Sequence, residues 1–214
     1  LKDNEDNTAR LFGTPFQNDV GEFLVEIQAK DSSGATAIQQ FTINVVNVEE
    51  EATGTLVIEG DVQEGGILNA NTNSITDVDD TNTPLTFTFQ WQLGDDSSSF
   101  INIDSNDGGN NKEFIIPSDQ SYVNKFIRVT AVSLDSRGGT TSFESSPQLI
   151  ANVNDLPVFT SIPILTVDED SLYTYTITVT DEDLSGNVSI TSSTLPDFLT
   201  LKDNENNTAT LTGT

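Results

Sequence analysis

The first fourteen residues of this chain occur again at residue 201, and this repeat constrains the architecture more than any other feature. Leu1–Thr14 and Leu201–Thr214 are identical at eleven of fourteen positions, at an offset of 200 residues. A match of that length predicts a tandem array of similar units. Read in the order 153–214 and then 15–48, the chain holds one unit of 96 residues, and the stretch 49–152 has 104 residues. We therefore expect an extended, modular protein and not a compact enzyme.

Apolar and polar residues alternate over most of the chain. The pattern is clearest at 173–180, where Tyr, Ile and Val alternate with Thr, and it recurs at 23–29, 41–45 and 87–92; a further run opens at Phe126. Clusters of Gly, Asp, Asn and Ser separate these runs, including Leu184–Asn187. Period-two alternation with such turns predicts half-buried strands, and no segment sustains a helical period. The fold class is therefore expected to be all-β, built from sandwich domains of about 100 residues.

Composition excludes several classes of function. The chain has no Cys, Met or His, and its net charge is −26. Without His or Cys it can form neither a Ser-His-Asp triad nor a soft transition-metal site, so we predict no enzymatic activity, although carboxylate-only catalysis stays formally open. Nucleic acid and anionic membranes select for Lys and Arg, so neither is an expected partner, and no apolar run is long enough to insert into a membrane.

Two short polar linkers predict the domain boundaries. Asn47-Val-Glu-Glu-Glu-Ala52 and Asn152-Val-Asn-Asp-Leu-Pro157 each follow a segment rich in Ile and Val. The predicted domains are 1–48, the closing half of one sandwich; 49–152, a complete sandwich; and 153–214, the opening half of the next. Short linkers favour end-to-end stacking over free tumbling.

Several motifs occur in an order typical of one known family. Asn152-Val-Asn-Asp-Leu-Pro157 resembles the interdomain linker of cadherins and of bacterial cadherin-like, dystroglycan-type repeats. Val167-Asp-Glu-Asp170 resembles their first-strand acidic site, Asp181-Glu-Asp183 their Asp-x-Asp loop, and Ala29-Lys-Asp31 with Gly34 a later loop. The middle domain is similar, on fewer residues, to Ig-like extender domains of bacterial adhesins, through Gly60-Asp-Val-Gln-Glu-Gly65, Phe89-Gln-Trp-Gln92 and Ile127-Arg-Val129. The resemblance implies tandem Ig-like and cadherin-like β-sandwiches in an extended array.

The resemblance also implies Ca²⁺ at the junctions between domains, held by carboxylate, amide and backbone oxygens. Such oxygens are the ligands that Ca²⁺ prefers in proteins. For the second junction the family pattern nominates Glu64, Asn152, Asn154, Asp155, Asp181 and Asp183. For the first junction Glu49, Glu50 and Glu51 replace the expected linker motif, with Asp77, Asp79 and Asp135 downstream. Asp31 is a further loop ligand of the composite unit, and Glu169 would serve a third junction.

Each of these residues has a simpler interpretation. Asp and Asn cap turns, and any one of them alone is better explained as a turn residue. For the set Asn154, Asp155, Asp181 and Asp183 we favour ligation, because linker and loop agree. The run Glu49–Glu51 can equally be a solvated linker or a set of ligands. Trp91 is expected in the core, packed between sheets as in Ig-like domains.

The predicted function is structural. We expect an extender repeat of a large bacterial cell-surface or secreted adhesin, made rigid by Ca²⁺ between neighbouring repeats. An alternative is a carbohydrate-binding or homophilic adhesion module of a secreted protein, and another is an accessory domain of a secreted enzyme. Because 1–48 and 153–214 are predicted to be complementary halves, we also expect head-to-tail self-association through them.

Overall fold

The computed structural model describes residues 1–80, 83–183 and 186–214 and is almost entirely β. Two 3-10 turns, Gln17–Asp19 and Ser105–Asp107, are its helical segments. The all-β prediction is confirmed. Leu184 and Ser185, in the predicted turn Leu184–Asn187, lie outside the described residues. The strands of the described residues are β1 (Lys2–Asp3), β2 (Ala9–Arg10), β3 (Gly21–Lys30), β4 (Thr36–Val45), β5 (Val57–Gly60), β6 (Ile67–Asn71), β7 (Thr86–Gly94), β8 (Ile101–Asn102), β9 (Glu113–Ile115), β10 (Phe126–Leu134), β11 (Thr140–Glu144), β12 (Gln148–Leu149), β13 (Val158–Phe159), β14 (Tyr173–Thr180), β15 (Leu199–Asp203) and β16 (Thr208–Gly213).

The chain divides into two compact units. The first comprises Leu1–Thr55, Asn73–Phe87 and Val132–Phe143, and the second comprises Leu56–Thr72, Thr88–Ala131 and Glu144–Thr214. The division falls within β7, β10 and β11. It does not test the predicted domain boundaries after residues 48 and 152, which stay predictions.

In the first unit the longest paired strands are β3 and β4. They form an antiparallel hairpin in which Phe23 pairs with Ile43 and Val25 with Phe41. Residues directly opposite in such a pair project on the same face. The alternation of apolar and polar residues therefore gives this hairpin one apolar face, as the sequence predicts.

Most of the buried apolar side chains among the described residues lie in the second unit. Its buried side chains come from alternate positions of the sheet β5-β6-β9 and of β7, β10 and the segments between them. Trp91 is 0% exposed, its ring centroid lies 5.5 Å from that of Phe114, and its Nε1 donates to the carbonyl oxygen of Asn111 over 2.9 Å. The predicted core position of Trp91 is confirmed. The largest fully buried side chains of this core are Trp91, Phe114, Leu68, Ile116, Ile127, Ile150 and Val129.

Residues 153–214 of the second unit form a separate antiparallel sheet of order β13-β14-β16-β15. Val179, Ile190 and Ala209 are its buried cluster, with Ile177 and Leu201 packed against them. The predicted alternation at 173–180 lies on β14, where Tyr175 pairs with Leu211 and Ile177 with Ala209.

The sequence repeat is also a structural repeat. The hairpin β1–β2 pairs Asp3 with Ala9, and β15–β16 pairs Asp203 with Ala209. Both turns are closed by a backbone bond of 2.9 Å, from Asn4 N to Thr8 O and from Asn204 N to Thr208 O. Corresponding residues of the two turns have positive φ, namely Glu5, Asn7, Glu205 and Asn207. No helix within the described residues is long and apolar enough to cross a membrane.

Candidate metal centre

Three carboxylates from distant parts of the sequence converge in the first unit. One oxygen each of Glu49, Asp79 and Asp135 lies within 4.8 Å of the other two. Oxygens bound to one Ca²⁺ are each about 2.3–2.6 Å from the ion and thus up to about 5 Å from one another. Within the described residues this is the one group of three or more acidic side chains that meets that limit. The spacing suits a single hard cation.

The loop after β10 presents Asp135. Its Oδ1 accepts the backbone N–H groups of Arg137 at 2.6 Å and Gly139 at 2.9 Å, which closes a tight turn. Desolvation raises the pKa of Asp135, but these N–H donors and a hydrogen bond with Glu49 outweigh it, and the pKa is lowered overall. Asp135 is therefore ionised, although the residue is only 7% exposed.

The second oxygen of Asp135 is the unusual feature of the cluster. Asp135 Oδ2 is buried and has no hydrogen-bond donor among the described residues when Glu49 is ionised. A β-carbon placed on Gly139 would overlap both this oxygen and Glu49 Oε1, so the two lie side by side over the glycine. A buried charged oxygen without a donor is costly, and a cation would satisfy it.

The neighbouring carboxylates shift the pKa of Glu49. Its pKa is raised to about 7, first because protonated Glu49 can donate to Asp135, then by desolvation and by the charges of Asp135, Asp79 and Asp77. Like charges this close disfavour one another's ionisation, and a bound cation would remove that cost.

Asp79 has polar neighbours on several sides. Its side chain is 0% exposed, and it accepts hydrogen bonds from the Gln17 amide and from Glu50 N, the latter at 3.2 Å. Arg137 Nε lies 3.9 Å from Asp79 Oδ1. The Gln17 amide also reaches Asn47 Oδ1 at 3.1 Å. The loop that carries Asp79 is tied to the linker by the bridge between Thr53 and Thr76.

Of the residues predicted at this junction, the structure brings Asp79 and Asp135 together with Glu49 from the acidic run. Glu50 contributes its backbone N–H to Asp79 and not its carboxylate to the group. Asp77 Oδ1 accepts Asp79 N at 2.8 Å. Their ligation stays a prediction.

The residues predicted at the second junction form a hydrogen-bonded network in the second unit. Asp183 accepts from Asn152 Nδ2 at 2.6 Å and from Asp155 N at 2.9 Å, and its own N–H donates to Asp181 Oδ1 at 3.0 Å. Gln120 Nε2 joins Asn152 Oδ1 at 2.8 Å to Glu64 Oε2 at 3.2 Å.

Two oxygens of that network, Asp155 Oδ2 and Gln120 Oε1, are buried without a hydrogen-bond donor among the described residues. Asn154 is exposed, and its Nδ2 donates to Asp155 O at 2.9 Å.

The two networks are built alike. In the first network Glu50 N donates to Asp79, and Asp79 N donates to Asp77 Oδ1. In the second, Asp155 N donates to Asp183, and Asp183 N donates to Asp181 Oδ1. In each, an amide from a glutamine, Gln17 or Gln120, reaches the linker Asn, Asn47 or Asn152. The second network has no described counterpart of Asp135.

Sequence reasoning missed Gln17, Asn47, Gln120 and Gly139. The shared Asn-Val at 47–48 and 152–153 was the available signal for Asn47, whereas the glutamines stand in no recognisable motif. Asp31 accepts Ser33 N and Ala35 N, both at 2.9 Å, and so caps the β3–β4 turn. Glu169 is exposed before β14. Neither residue belongs to the three-carboxylate group.

Comparisons with known proteins are sparse. No family model matches this chain, and no curated protein matches it. Five solved chains match in structure, among them one described as "Ca2+-stabilized adhesin helps an Antarctic bacterium reach out and bind ice". That chain is 12% identical, and the match covers 90% of this chain and 48% of the other, with a TM-score of 0.30. This chain thus spans about half the length of the solved chain it matches. A TM-score this low does not establish a common fold, so the functional argument rests on this chain's own residues.

Proposed function

We propose that this chain is a structural extender segment of a cell-surface or secreted adhesin, and that Ca²⁺ bound at its linkers makes it rigid. The observation that carries the proposal is the buried Oδ2 of Asp135, which lacks a hydrogen-bond donor when Glu49 is ionised and belongs to a carboxylate grouped with those of Glu49 and Asp79. The proposal includes no catalytic activity.

The chemistry of the cluster favours Ca²⁺ over other metal ions. The chain has no His or Cys, the ligands that Zn²⁺ and softer metals require. Mg²⁺ demands a near-ideal octahedron at short distances and keeps most of its water, whereas Ca²⁺ accepts irregular sets of six to eight oxygens. An irregular group of three carboxylates matches the requirements of Ca²⁺ better than those of Mg²⁺.

A cation in this cluster would tie a linker to a loop. Glu49 lies in the linker after β4, and Asp79 and Asp135 lie in two loops of the residues that follow. Without the ion, the carboxylates repel one another and the linker is free to move away. With the ion, all three segments share one centre, which is the physical basis of stiffening.

The same arrangement of linker and Asp-x-Asp loop at the second network supports a repeated role in place of an isolated site. The alternative of a carbohydrate-binding module gains no support from Trp91, because its ring is fully buried and cannot stack on a sugar. The resemblance to cadherin-like and Ig-like repeats remains part of the proposal.

Calcium titration of two variants with the same change in charge tests the cation site. Asp135→Asn should lower the affinity at least tenfold, because the amide removes the charge that lacks a donor. Asp96→Asn, in a turn of the second unit where Asp96 accepts Ser98 N at 2.7 Å, should bind as the parent does. Equal affinities of Asp135→Asn and the parent would contradict the site.

Small-angle X-ray scattering tests the stiffening itself. We expect a longer maximum dimension and a narrower distance distribution in calcium than in chelator. Superimposable profiles, with calcium binding proven by titration, would leave the site intact and reject the extender mechanism.

A further inference from the structure

A single side-chain amide joins the linker after β4 to the loop that carries Asp79. Gln17 Nε2 donates one hydrogen bond to Asn47 Oδ1 at 3.1 Å and another to Asp79 Oδ1. The oxygens of an ionised carboxylate accept and do not donate, so the nitrogen of the amide must face Asp79. That nitrogen carries two N–H groups, and Gln17 uses both. It therefore fastens two segments that are distant in the chain.

The backbone around Gln17 is held by its own turn. Gln17–Asp19 is a 3-10 turn before β3, in which Asp19 N donates to Phe16 O at 2.8 Å. Asp19 Oδ2 in turn accepts Phe16 N at 2.8 Å. Gln17 itself is half-buried. These contacts fix the point from which the amide reaches the linker, and none of them involves an ion.

Hydrogen bonds on both sides of Glu49 fix the path of the linker. Two residues before it, Asn47 is held by Gln17, and one residue after it, Glu50 N donates to Asp79 Oδ2 at 3.2 Å. Glu49 itself is exposed, so its place in the three-carboxylate group depends on the path that these bonds give to the backbone. A segment that must become ordered on binding lowers the affinity for a ligand, and a segment ordered in advance avoids that cost.

The Gln17 amide can order these residues without filling the centre. It carries no charge, so it does not neutralise the carboxylates as a Lys or Arg side chain at this position would. Each carboxylate oxygen can accept in two directions, so Asp79 Oδ1 can accept the amide and still contact a cation. A neutral donor of this kind suits a residue that prepares a cation site and does not compete for it.

The second network contains the same arrangement. Gln120 Nε2 donates to Asn152 Oδ1 at 2.8 Å and to Glu64 Oε2 at 3.2 Å. In both networks one amide nitrogen therefore joins the side-chain oxygen of a linker Asn to a buried acidic residue, and Asp79 and Glu64 are each 7% exposed. The residues next to Gln17 and Gln120 in the sequence are different. The recurrence at two linkers argues against a chance contact.

We propose that Gln17 is a positioning residue of the cation centre: its amide holds Asn47 and Asp79 in the places that bring the three carboxylates together before an ion binds. Gln120 holds the linker residue Asn152 in the same way. The inference rests on the proposed function, because it assigns Gln17 a part in calcium binding. A purely structural Gln17 would contribute to the stability of the ion-free protein and leave the calcium affinity of the folded chain unchanged.

Isothermal titration of calcium into variants of the full chain tests this role. Gln17→Met keeps an unbranched side chain and removes both donors. Gln40→Met is the matched control in the same unit, because Gln40 Nε2 donates to Glu26 Oε2 at 2.6 Å, outside the three-carboxylate group. Gln17→Met should bind calcium about tenfold more weakly, the effect of losing a hydrogen bond to a charged group. Gln40→Met should bind as the parent does.

Coupling to Glu49 separates positioning from a general loss of stability. Glu49→Gln should weaken calcium binding about tenfold in the parent but only about twofold in Gln17→Met, because Glu49 then has no fixed place to lose. If circular dichroism in chelator shows that Gln17→Met has lost its strands, Asn47→Ala replaces it, since it removes the acceptor on the linker. Additive effects in the double variant, or parent-like or tighter binding by the single variant, overturn the positioning role and leave the cation site intact. A parent that binds no calcium overturns the proposed function as well.

Discussion

Gly139→Ala should separate cation binding from folding. Gly139 lies beneath Glu49 Oε1 and Asp135 Oδ2, and a methyl group there would overlap both oxygens. Its φ lies outside the left-handed region, so alanine adds no backbone strain. Asp135 is held by two backbone N–H groups, whereas Glu49 is an exposed side chain. We therefore expect the exposed Glu49 side chain to leave the cluster, and the Asp135 carboxylate, which its two N–H donors restrain, to shift by the smaller distance that clears the methyl group.

The magnitude follows from losing one of three carboxylates. Interactions of a charged group with a hydrogen-bond partner contribute about 1.5–3 kcal/mol, and a lost carboxylate–cation contact should cost a similar amount. That corresponds to a calcium affinity lower by roughly tenfold to a hundredfold. At a concentration one hundred times the parent's dissociation constant, calcium stabilises the parent by about 2.7 kcal/mol and a tenfold weaker variant by about 1.4 kcal/mol.

Three effects of Gly139→Ala act on the stability of the ion-free protein. Replacing glycine by alanine at a compatible φ restricts the unfolded chain and stabilises proteins by about 0.4–1 kcal/mol. Moving Glu49 away also relieves repulsion between carboxylates. The forced shift of the buried Asp135 carboxylate opposes both gains, so the quantity to compare is the rise in melting temperature that calcium produces, which should be smaller for Gly139→Ala than for the parent.

Thermal unfolding by circular dichroism, with isothermal titration of calcium, measures both effects. Gly13→Ala is the control, since nothing lies within 4 Å of a β-carbon there and its φ is also outside the left-handed region. The double variant Gly139→Ala, Glu49→Gln should bind no more weakly than the worse single variant, because both remove one ligand. Parent-like calcium affinity in Gly139→Ala would refute this account of the site.

Four further predictions concern charge, pH and packing. Arg137→Gln should tighten calcium binding about threefold to tenfold, because it removes the positive charge 3.9 Å from Asp79. The control is Arg128→Gln in the second unit, where the guanidinium pairs with Glu144 at 2.5 Å. In a titration at constant ionic strength, this control should bind calcium as the parent does. Calcium affinity should rise with pH through about 7, because bound ion must displace the proton of Glu49; Glu49→Gln should flatten that dependence. In chelator the raised pKa of Glu49 contributes stability that is fully present below its ordinary value and is lost as pH rises through about 7, so the melting temperature of the parent should fall over that interval and that of Glu49→Gln should not. Trp91→Phe should lower the free energy of unfolding in urea by about 2–3 kcal/mol, because it leaves a cavity in the core of the second unit and removes the donor to Asn111; an unchanged midpoint would contradict the packing described for Trp91.

Most strands could be predicted from the sequence, because the pattern that indicates a strand lies in consecutive residues. The alternation at 23–29 became β3, that at 173–180 became β14, and the run opening at Phe126 became β10. The core position of Trp91 followed from the same pattern. Period-two alternation is a local property that directs every second side chain to one face, and so it can be recognised without knowing what covers that face.

From the sequence, the acidic residues could be predicted only as candidate Ca²⁺ ligands. Asp79 and Asp135 were nominated from their loops, but the run Glu49–Glu51 offered three equivalent carboxylates. The structure separates them by the path of the linker, which directs the Glu49 side chain and the Glu50 backbone N–H toward Asp79. The roles of Gln17, Gln120 and Gly139 could not be predicted from the sequence. The role of a glutamine amide or of a missing β-carbon depends on the atoms packed against it, and these are set by the tertiary structure.

The sequence by itself determined that this chain is all-β, repetitive, acidic and restricted to oxygen ligands, because alternation, internal identity and composition are properties of the linear order of residues. Only the tertiary structure decided which carboxylates meet and which oxygen of Asp135 lacks a donor. Residues 49, 79 and 135 are far apart in the chain, and their distances are set by strand pairing and loop closure, which no local pattern encodes.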